Sequence, residues 1–187
     1  VAFDAVILAG GHSERLGGTD KALVLLDGTT LLERAVDAVT DAGRVIVVGP
    51  HREVCLSVPV SWVQEDPPGG GPVAALAAGL APGGAELVVV LAVDHPLATR
   101  ADVARLVASA SEDGAVAVDS EGFTQPLLAA YRRSALDGAM TRLPLVHGAS
   151  FRDLTAGLAL AEIELGQAAM DCDTWEAIEA AGMTRRK

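Results

Sequence analysis

The sequence predicts an α/β protein with a mostly parallel central sheet covered on both faces by helices, a three-layer α/β/α arrangement. Two observations carry this. Apolar runs of strand length alternate with amphipathic stretches of helix length along the 187 residues. The runs are also continuously apolar rather than alternating, which is the pattern of strands buried on both faces. No internal repeat, low-complexity tail or linker breaks the series, so one domain over residues 1–187 is expected.

The elements follow in order. Ala5–Ala9 is a β-branched, apolar strand that breaks into glycines. Thr30–Asp41 is a helix, because Leu32, Ala35, Val36 and Val39 share a face and Thr30 suits its N-cap. Arg44–Val48 and Val60–Val63 are the next strands, and Pro72–Leu80 a helix whose Pro72 fits the first turn. Leu87–Val93 is apolar throughout and so a central strand. Arg100–Ser111 has helical spacing through Val103, Leu106 and Val107. Strands Ala115–Val118 and Leu127–Tyr131, helix Ser134–Leu143, and helix Ser150–Ala156 with Ser150 as cap come next. Strand Leu158–Ile163 and helix Thr174–Ala180 close the chain.

Half the residues are apolar but only 3% are aromatic, so the core must be built from Val, Leu, Ile and Ala. A net charge of −11 argues against nucleic acid or an anionic membrane surface as partner. An anionic substrate would then need a few local cations and a divalent metal. No stretch approaches the roughly 18 apolar residues of a membrane span. No basic segment followed by an apolar core stands at Val1, so no secretory signal is expected. Two cysteines, Cys55 and Cys172, without metal or CxxC spacing, fit a reduced cytoplasmic protein. A monomer or weak homo-oligomer is expected.

The chemistry-bearing segment is Leu8-Ala9-Gly10-Gly11, followed by Ser13, Arg15, Gly17 and Asp20-Lys21. Glycines after a buried strand let backbone N–H groups approach a polyphosphate without Cβ interference. Arg15 and Lys21 supply positive charge. The spacing is not a Walker A loop, because no Lys follows a glycine at the required interval, and not the dinucleotide G-x-G-x-x-G pattern, because Gly10 and Gly11 are adjacent.

In parallel α/β sheets ligands bind outside the carboxyl ends of strands, and further candidates lie there. Asp94 follows Leu87–Val93 and reads either as a ligand for Mg²⁺ or as a turn residue before His95-Pro96. Gln64-Glu65-Asp66 leads through glycines into a helix N-terminus, where Asp66 either meets guanine or ribose or is solvated. Gly49 lets a nucleobase approach the main chain, whereas His51 and Arg52 read as solvated loop residues. Gly122, Gln125-Pro126-Leu127 and Tyr131 either contact a second substrate or form a loop and strand. Asp173 either joins Asp94 on a metal or caps the last helix. His147 reads as a loop residue, and Arg152 either faces solvent or meets an anionic acceptor.

The first loop resembles the L-A-G-G-x-S-x-R-[ML]-G-x-D-K stretch of nucleotidyltransferases that make sugar nucleotides and nucleotide-linked cofactors. With Glu65-Asp66, Gly71-Pro72, Ala77-Ala78-Gly79-Leu80, Asp94 with Pro96, Gln125-Pro126-Leu127 and Asp171-x-Asp173-Thr174, the chain resembles the molybdenum cofactor guanylyltransferase (MobA) family from residue 5 to about 180. The resemblance implies the Rossmann-like, GT-A-like nucleotidyltransferase fold. It implies that Leu8, Ala9, Gly10, Gly11 and Lys21 hold GTP, with Gly49 and Asp66 near guanine or ribose. Asp94 would bind Mg²⁺, Arg15 and Lys21 would meet the phosphates, and Gln125 and Asp173 would face a molybdopterin-type phosphorylated acceptor.

The implied reaction joins GMP to the acceptor's terminal phosphate and releases pyrophosphate. A phosphate monoester, with its second pKa near 6, is already ionised at neutral pH, so no strong general base is required. Departures from the family are the lack of Asn near Gly49, His95 between Asp94 and Pro96, and Val73-Ala74-Ala75 in place of Leu-Ala-Gly. The Gly10-Gly11 pair fits guanylyl-transferring relatives, whereas cytidylyl-transferring ones tend to L-A-A-G. The alternatives are CTP with the same acceptor, GTP with another small phosphorylated acceptor, and a silent nucleotide-binding regulator.

Overall fold

The computed structural model describes residues 1–10 and 20–172. Gly11, Arg15, Asp173 and the expected helix Thr174–Ala180 lie outside the described residues. In chain order the strands are β1 (Phe3–Leu8), β2 (Leu25–Leu26), β3 (Thr29–Thr30), β4 (Arg44–Val48), β5 (Ser61–Val63), β6 (Leu87–Ala92), β7 (Gly114–Asp119), β8 (Thr124–Arg132) and β9 (Leu160–Gly166). The helices are α1 (Leu31–Ala38), α2 (Gly71–Leu80), α3 (Arg100–Ser109), α4 (Arg133–Arg142) and α5 (Phe151–Thr155).

The main sheet runs β5-β4-β1-β6-β8, with β5, β4, β1 and β6 parallel and β8 antiparallel to β6. β7 lies along β8, tied at its ends by Asp119 N to Phe123 O and Arg132 N to Asp113 O, and pairs in parallel with β9. The α/β, mostly parallel expectation holds. Strand side chains divide between two apolar layers. From β1, Ala5 and Ile7 join a cluster with Leu32 and Val36 of α1 and Val103 and Leu106 of α3. Val6 and Leu8 join the opposite cluster, with Leu76 of α2, Leu136 of α4 and Phe151 of α5. This division is why β1, β4 and β6 are apolar at nearly every position: each face has its own helical layer. Each fully buried Leu or Ile contributes roughly 1.5–3 kcal/mol.

Capping boxes start α1 and α3: Thr30 with Glu33, and Thr99 with Asp102. Ser150 accepts from Asp153 N and starts α5. Within α2, Gly79 lets the helix ride low on the sheet, because a Cβ there would collide with Val6 and Val48. At the amino end of the sheet, buried Asp4 accepts from Gly84 N (2.7 Å), Ala85 N (2.8 Å) and Arg133 Nη2 (3.3 Å). That carboxylate is satisfied by the chain that leads into β6 and has a structural role.

One element is unforeseen and two expectations need correction. Leu25–Leu26 and Thr29–Thr30 form a small hairpin, turned by Asp27 and Gly28, both at positive φ. β8 begins at Thr124, so Gln125 and Pro126 lie inside the strand and not in a loop before it. Tyr131 is fully buried and its hydroxyl donates to Pro126 O at 2.8 Å, so it is a core residue and not a substrate contact. Burial raises its phenol pKa.

Candidate active site

The parallel strands end level with one another. Ala9 N donates to Val48 O (2.9 Å), Gly49 N to Val63 O (2.9 Å) and Val93 N to Leu8 O (3.2 Å). The chain leaves β1 towards β4 and β5 on one side and returns to β6 on the other. The crevice between β1 and β6 is therefore the switch point where such sheets bind ligands. A cavity of about 700 Å³ opens there, and its lining includes Leu8, Gly10, Gly49, Glu65, Gly71 and Asp94. That volume lies within the range of small-molecule sites.

Lys21 begins a 3₁₀ turn (Lys21–Leu23) capped by Asp20, whose Oδ1 accepts from Ala22 N. Its Nζ lies 3.2 Å from Asp94 Oδ1, with the Lys21 side chain 9% and that of Asp94 28% exposed. The two candidates on which the sequence reading placed most weight thus meet across the β1–β6 crevice. Asp94 lies just beyond β6, and its backbone carbonyl accepts from Cys172 N at 2.9 Å, which ties the chain beyond β9 to the site.

His95 is buried behind Asp94. Burial lowers its pKa, against the pull of the Asp94 charge and of hydrogen bonds to backbone at Met170 and Ala169, while Lys21 adds to the lowering. A neutral imidazole packed on that chain is a support for the loop that carries Asp94.

Gly49 has φ +144°, and a Cβ there would sit 3.1 Å from Ala9 carbonyl atoms and Gly10 N. The fold therefore needs glycine at this position to bring the ends of β1 and β4 together, besides any ligand. Glu65 lines the cavity and accepts from Gly69 N at 3.0 Å. Asp66 is exposed and precedes a cis proline, Pro67. The N-cap of α2, Gly70, makes no side-chain cap, and Gly71, Pro72 and Ala75 of this helix line the cavity. The positive end of the helix dipole thus faces the space that an anion would fill.

Gln125 lies at the strand-end edge of β8, but its Nε2 donates to Asp119 Oδ2 at 2.7 Å, so its amide braces the β7–β8 turn. Arg152 and His147 are exposed, and His147 Nδ1 packs near Gly70.

Arg52 is the residue the sequence reading missed. It is not solvated: its side chain is only 7% exposed and it forks onto Asp20, with Nε to Oδ2 at 2.6 Å and Nη2 to Oδ1 at 2.9 Å. No local pattern marks it, because its partners lie 32 and 43 residues away in the chain.

Among the described residues no group of three or more His, Cys, Asp or Glu side chains could cage a metal. The single carboxylate of Asp94 suits Mg²⁺, which takes one or two carboxylates and draws its remaining oxygens from phosphates and water. A hard cation completed by a nucleotide fits this donor set, whereas a soft-metal site does not.

With this geometry in place, the chain matches the MobA-like NTP transferase domain over residues 5–159. It belongs to that family. The match runs from β1 to the residue before β9. A molybdenum cofactor guanylyltransferase from Acidiphilium cryptum is 39% identical over 142 residues, 71% of this chain and 68% of that one. A nucleotidyl transferase from Methanothermobacter superposes with a TM-score of 0.78 at 21% identity, over 96% of this chain and 95% of that one. The 2-C-methyl-D-erythritol 4-phosphate cytidylyltransferase of Thermus thermophilus superposes with a TM-score of 0.72 at 22% identity, covering 97% of each chain. These last two likenesses show the fold. As a member of the MobA-like family the protein is a nucleotidyltransferase, and the strand-end crevice is its candidate active site. Between Gly17 and Asp20 it carries two residues, Gly18 and Thr19, one more than the L-A-G-G-x-S-x-R-[ML]-G-x-D-K pattern allows.

Proposed function

We propose that this nucleotidyltransferase transfers GMP from GTP to the terminal phosphate of a molybdopterin-type acceptor. The supporting observation is the Lys21–Asp94 pair, 3.2 Å apart at the switch point of a nucleotide-sized cavity. The choice of GTP and acceptor rests on the 39% identical guanylyltransferase and on the Gly10-Gly11 pair.

In this reading Gly10 and Gly11 offer backbone N–H groups to the triphosphate. Lys21 and Arg15 neutralise charge on the α-phosphate and the departing pyrophosphate. Gly49 and Asp66 are assigned to guanine or ribose, and Asp94 would hold Mg²⁺. When bound, that ion supplies charge neutralisation at the phosphate oxygens. An oxygen of the acceptor phosphate bonds to the α-phosphorus as the bond from that phosphorus to the β-bridging oxygen breaks, and the electron pair leaves with pyrophosphate. No proton need be removed, because the monoester is already ionised.

The α2 N-terminus, with no side-chain cap, stabilises negative charge on the opposite wall of the cavity. Gln125 and Asp173 are assigned to the acceptor side, Gln125 acting through the turn it braces. The test is pyrophosphate release with Mg²⁺, molybdopterin and either GTP or CTP. Release with GTP supports the proposal. Release with CTP alone would place the protein with the cytidylyl-transferring enzymes. No release with either nucleotide would reject both donors for this acceptor.

A further inference from the structure

Arg52 joins pieces of chain that are distant in sequence and meet at the mouth of the cavity. Its Nη2 donates to Ala9 O and to Asp20 Oδ1, both at 2.9 Å, its Nε to Asp20 Oδ2 at 2.6 Å, and its Nη1 to Pro50 O at 3.0 Å. Ala9 immediately precedes Gly10, and Asp20 immediately precedes Lys21. One guanidinium, carried on the segment after β4, therefore ties Ala9, next to Gly10, to Asp20, next to Lys21.

The electrostatic consequence is as direct as the geometric one. Asp20 and Arg52 both line the cavity, along with the carboxylates of Glu65 and Asp94. Each Asp20 oxygen is occupied: Oδ2 by Arg52 Nε, and Oδ1 by Arg52 Nη2 and by Ala22 N at 3.2 Å. Without the guanidinium, Asp20 would present an uncompensated negative charge to an incoming polyphosphate. A forked, charge-assisted pair removes that repulsion and also fixes a geometry, which a lysine point charge cannot do at both Ala9 and Asp20.

We propose that Arg52 is a positioning residue for nucleotidyl transfer: it ties Ala9 and Asp20, the chain neighbours of Gly10 and Lys21, to each other and cancels the charge of Asp20 beside the polyphosphate. This rests on the reading of the cavity as a nucleotide triphosphate site.

The experiment titrates magnesium-GTP and, separately, magnesium with inorganic tripolyphosphate into the wild-type chain, Arg52→Gln, Arg52→Lys, Asp20→Asn and the Arg52→Gln/Asp20→Asn double variant. Turnover with GTP and molybdopterin is measured alongside as pyrophosphate release, and urea unfolding gives the folded fraction. Arg52→Gln is expected to weaken both ligands at least tenfold, and the double variant, with no bare charge, to regain binding within threefold of Asp20→Asn. Arg52→Lys is expected to bind within threefold of wild type but to lose at least tenfold in kcat at constant folded fraction.

A merely structural arginine would make the double variant no better than Arg52→Gln. That result, unchanged binding by Arg52→Gln, or wild-type kcat in Arg52→Lys would each overturn the proposal. If Arg52→Gln does not fold, Arg52→Lys decides: wild-type kcat overturns the proposal, and a tenfold loss at unchanged binding supports it. Wild-type binding of tripolyphosphate without GTP would sink the guanylyl reading, while the tripolyphosphate series still judges Arg52. If wild type binds neither, the triphosphate site and the role built on it both fall.

Discussion

Lys21 Nζ stands 3.2 Å from Asp94 Oδ1, joining the end of the glycine segment after β1 to the residue just beyond β6. The two residues are 73 positions apart in the sequence, and only the parallel pairing of β1 with β6 brings them together. A cation and a carboxylate at that point can share one polyphosphate, the cation on its oxygens and the carboxylate through a divalent ion.

Asp94→Asn should therefore abolish turnover, by a factor of about 100 or more, for loss of a metal clamp worth several kcal/mol. Folding should suffer far less, by about 1 kcal/mol, since the amide still accepts a hydrogen bond. Steady-state turnover and urea unfolding on the same preparation check both. Near-normal turnover would remove Asp94 from the mechanism.

Lys21→Ala should cost rate much more than it costs folding. Its Nζ neighbours a carboxylate that keeps 28% exposure and can hydrate when the ammonium is lost. The measurement is kcat against the urea midpoint. An unfolded variant would make Lys21 a structural residue.

Gln125 can be tested through Asp119. Burial pushes the Asp119 pKa up, but hydrogen bonds from Phe123 N, the Gln125 amide, Glu121 N and Gly122 N outweigh it and leave the carboxyl below its usual value of 3.8. A depressed carboxylate stabilises the fold above the unfolded pKa, and that stability is lost as pH falls through the folded pKa. Gln125→Leu should raise the Asp119 pKa and destabilise the fold at pH 7, with the gap to wild type closing as the pH falls through the folded pKa of Asp119. NMR titration of Asp119, and urea midpoints followed from pH 7 down through that titration, report it. An unmoved Asp119 pKa would free Gln125 from the bracing role.

Tyr131→Phe should lower stability by about 1 kcal/mol, the worth of the buried hydrogen bond to Pro126 O, and leave turnover unchanged. Urea unfolding and the transfer assay separate the two effects. A fall in kcat without loss of stability would restore Tyr131 to the substrate side.

How much the sequence revealed follows from the range over which each signal acts. The strands β1, β4 and β6 were legible because burial on both faces leaves an unbroken apolar run, and α1 because its cap and its apolar stripe agree. The β2–β3 hairpin was legible in principle, since Asp27-Gly28 between Leu25–Leu26 and Thr29–Thr30 is a two-residue hairpin signal. Pro126 made the start of β8 look like a loop. It is tolerated in the strand because the β6–β8 ladder begins only at Leu128. Gly10, Gly49 and Asp94 were readable as candidates because each stands just past a strand, and Lys21 because it closes the glycine segment that follows β1. Arg52 was not readable, since its role depends on contacts with Ala9 and Asp20 that no local spacing encodes.

The most direct test of the account is calorimetric titration of GTP and CTP, with and without Mg²⁺, into the wild-type protein and Asp94→Asn. GTP is expected to bind in a Mg²⁺-dependent manner at least tenfold tighter than CTP, with the Mg²⁺ dependence lost in Asp94→Asn. A preference for CTP, or GTP binding indifferent to both Mg²⁺ and Asp94, would contradict it.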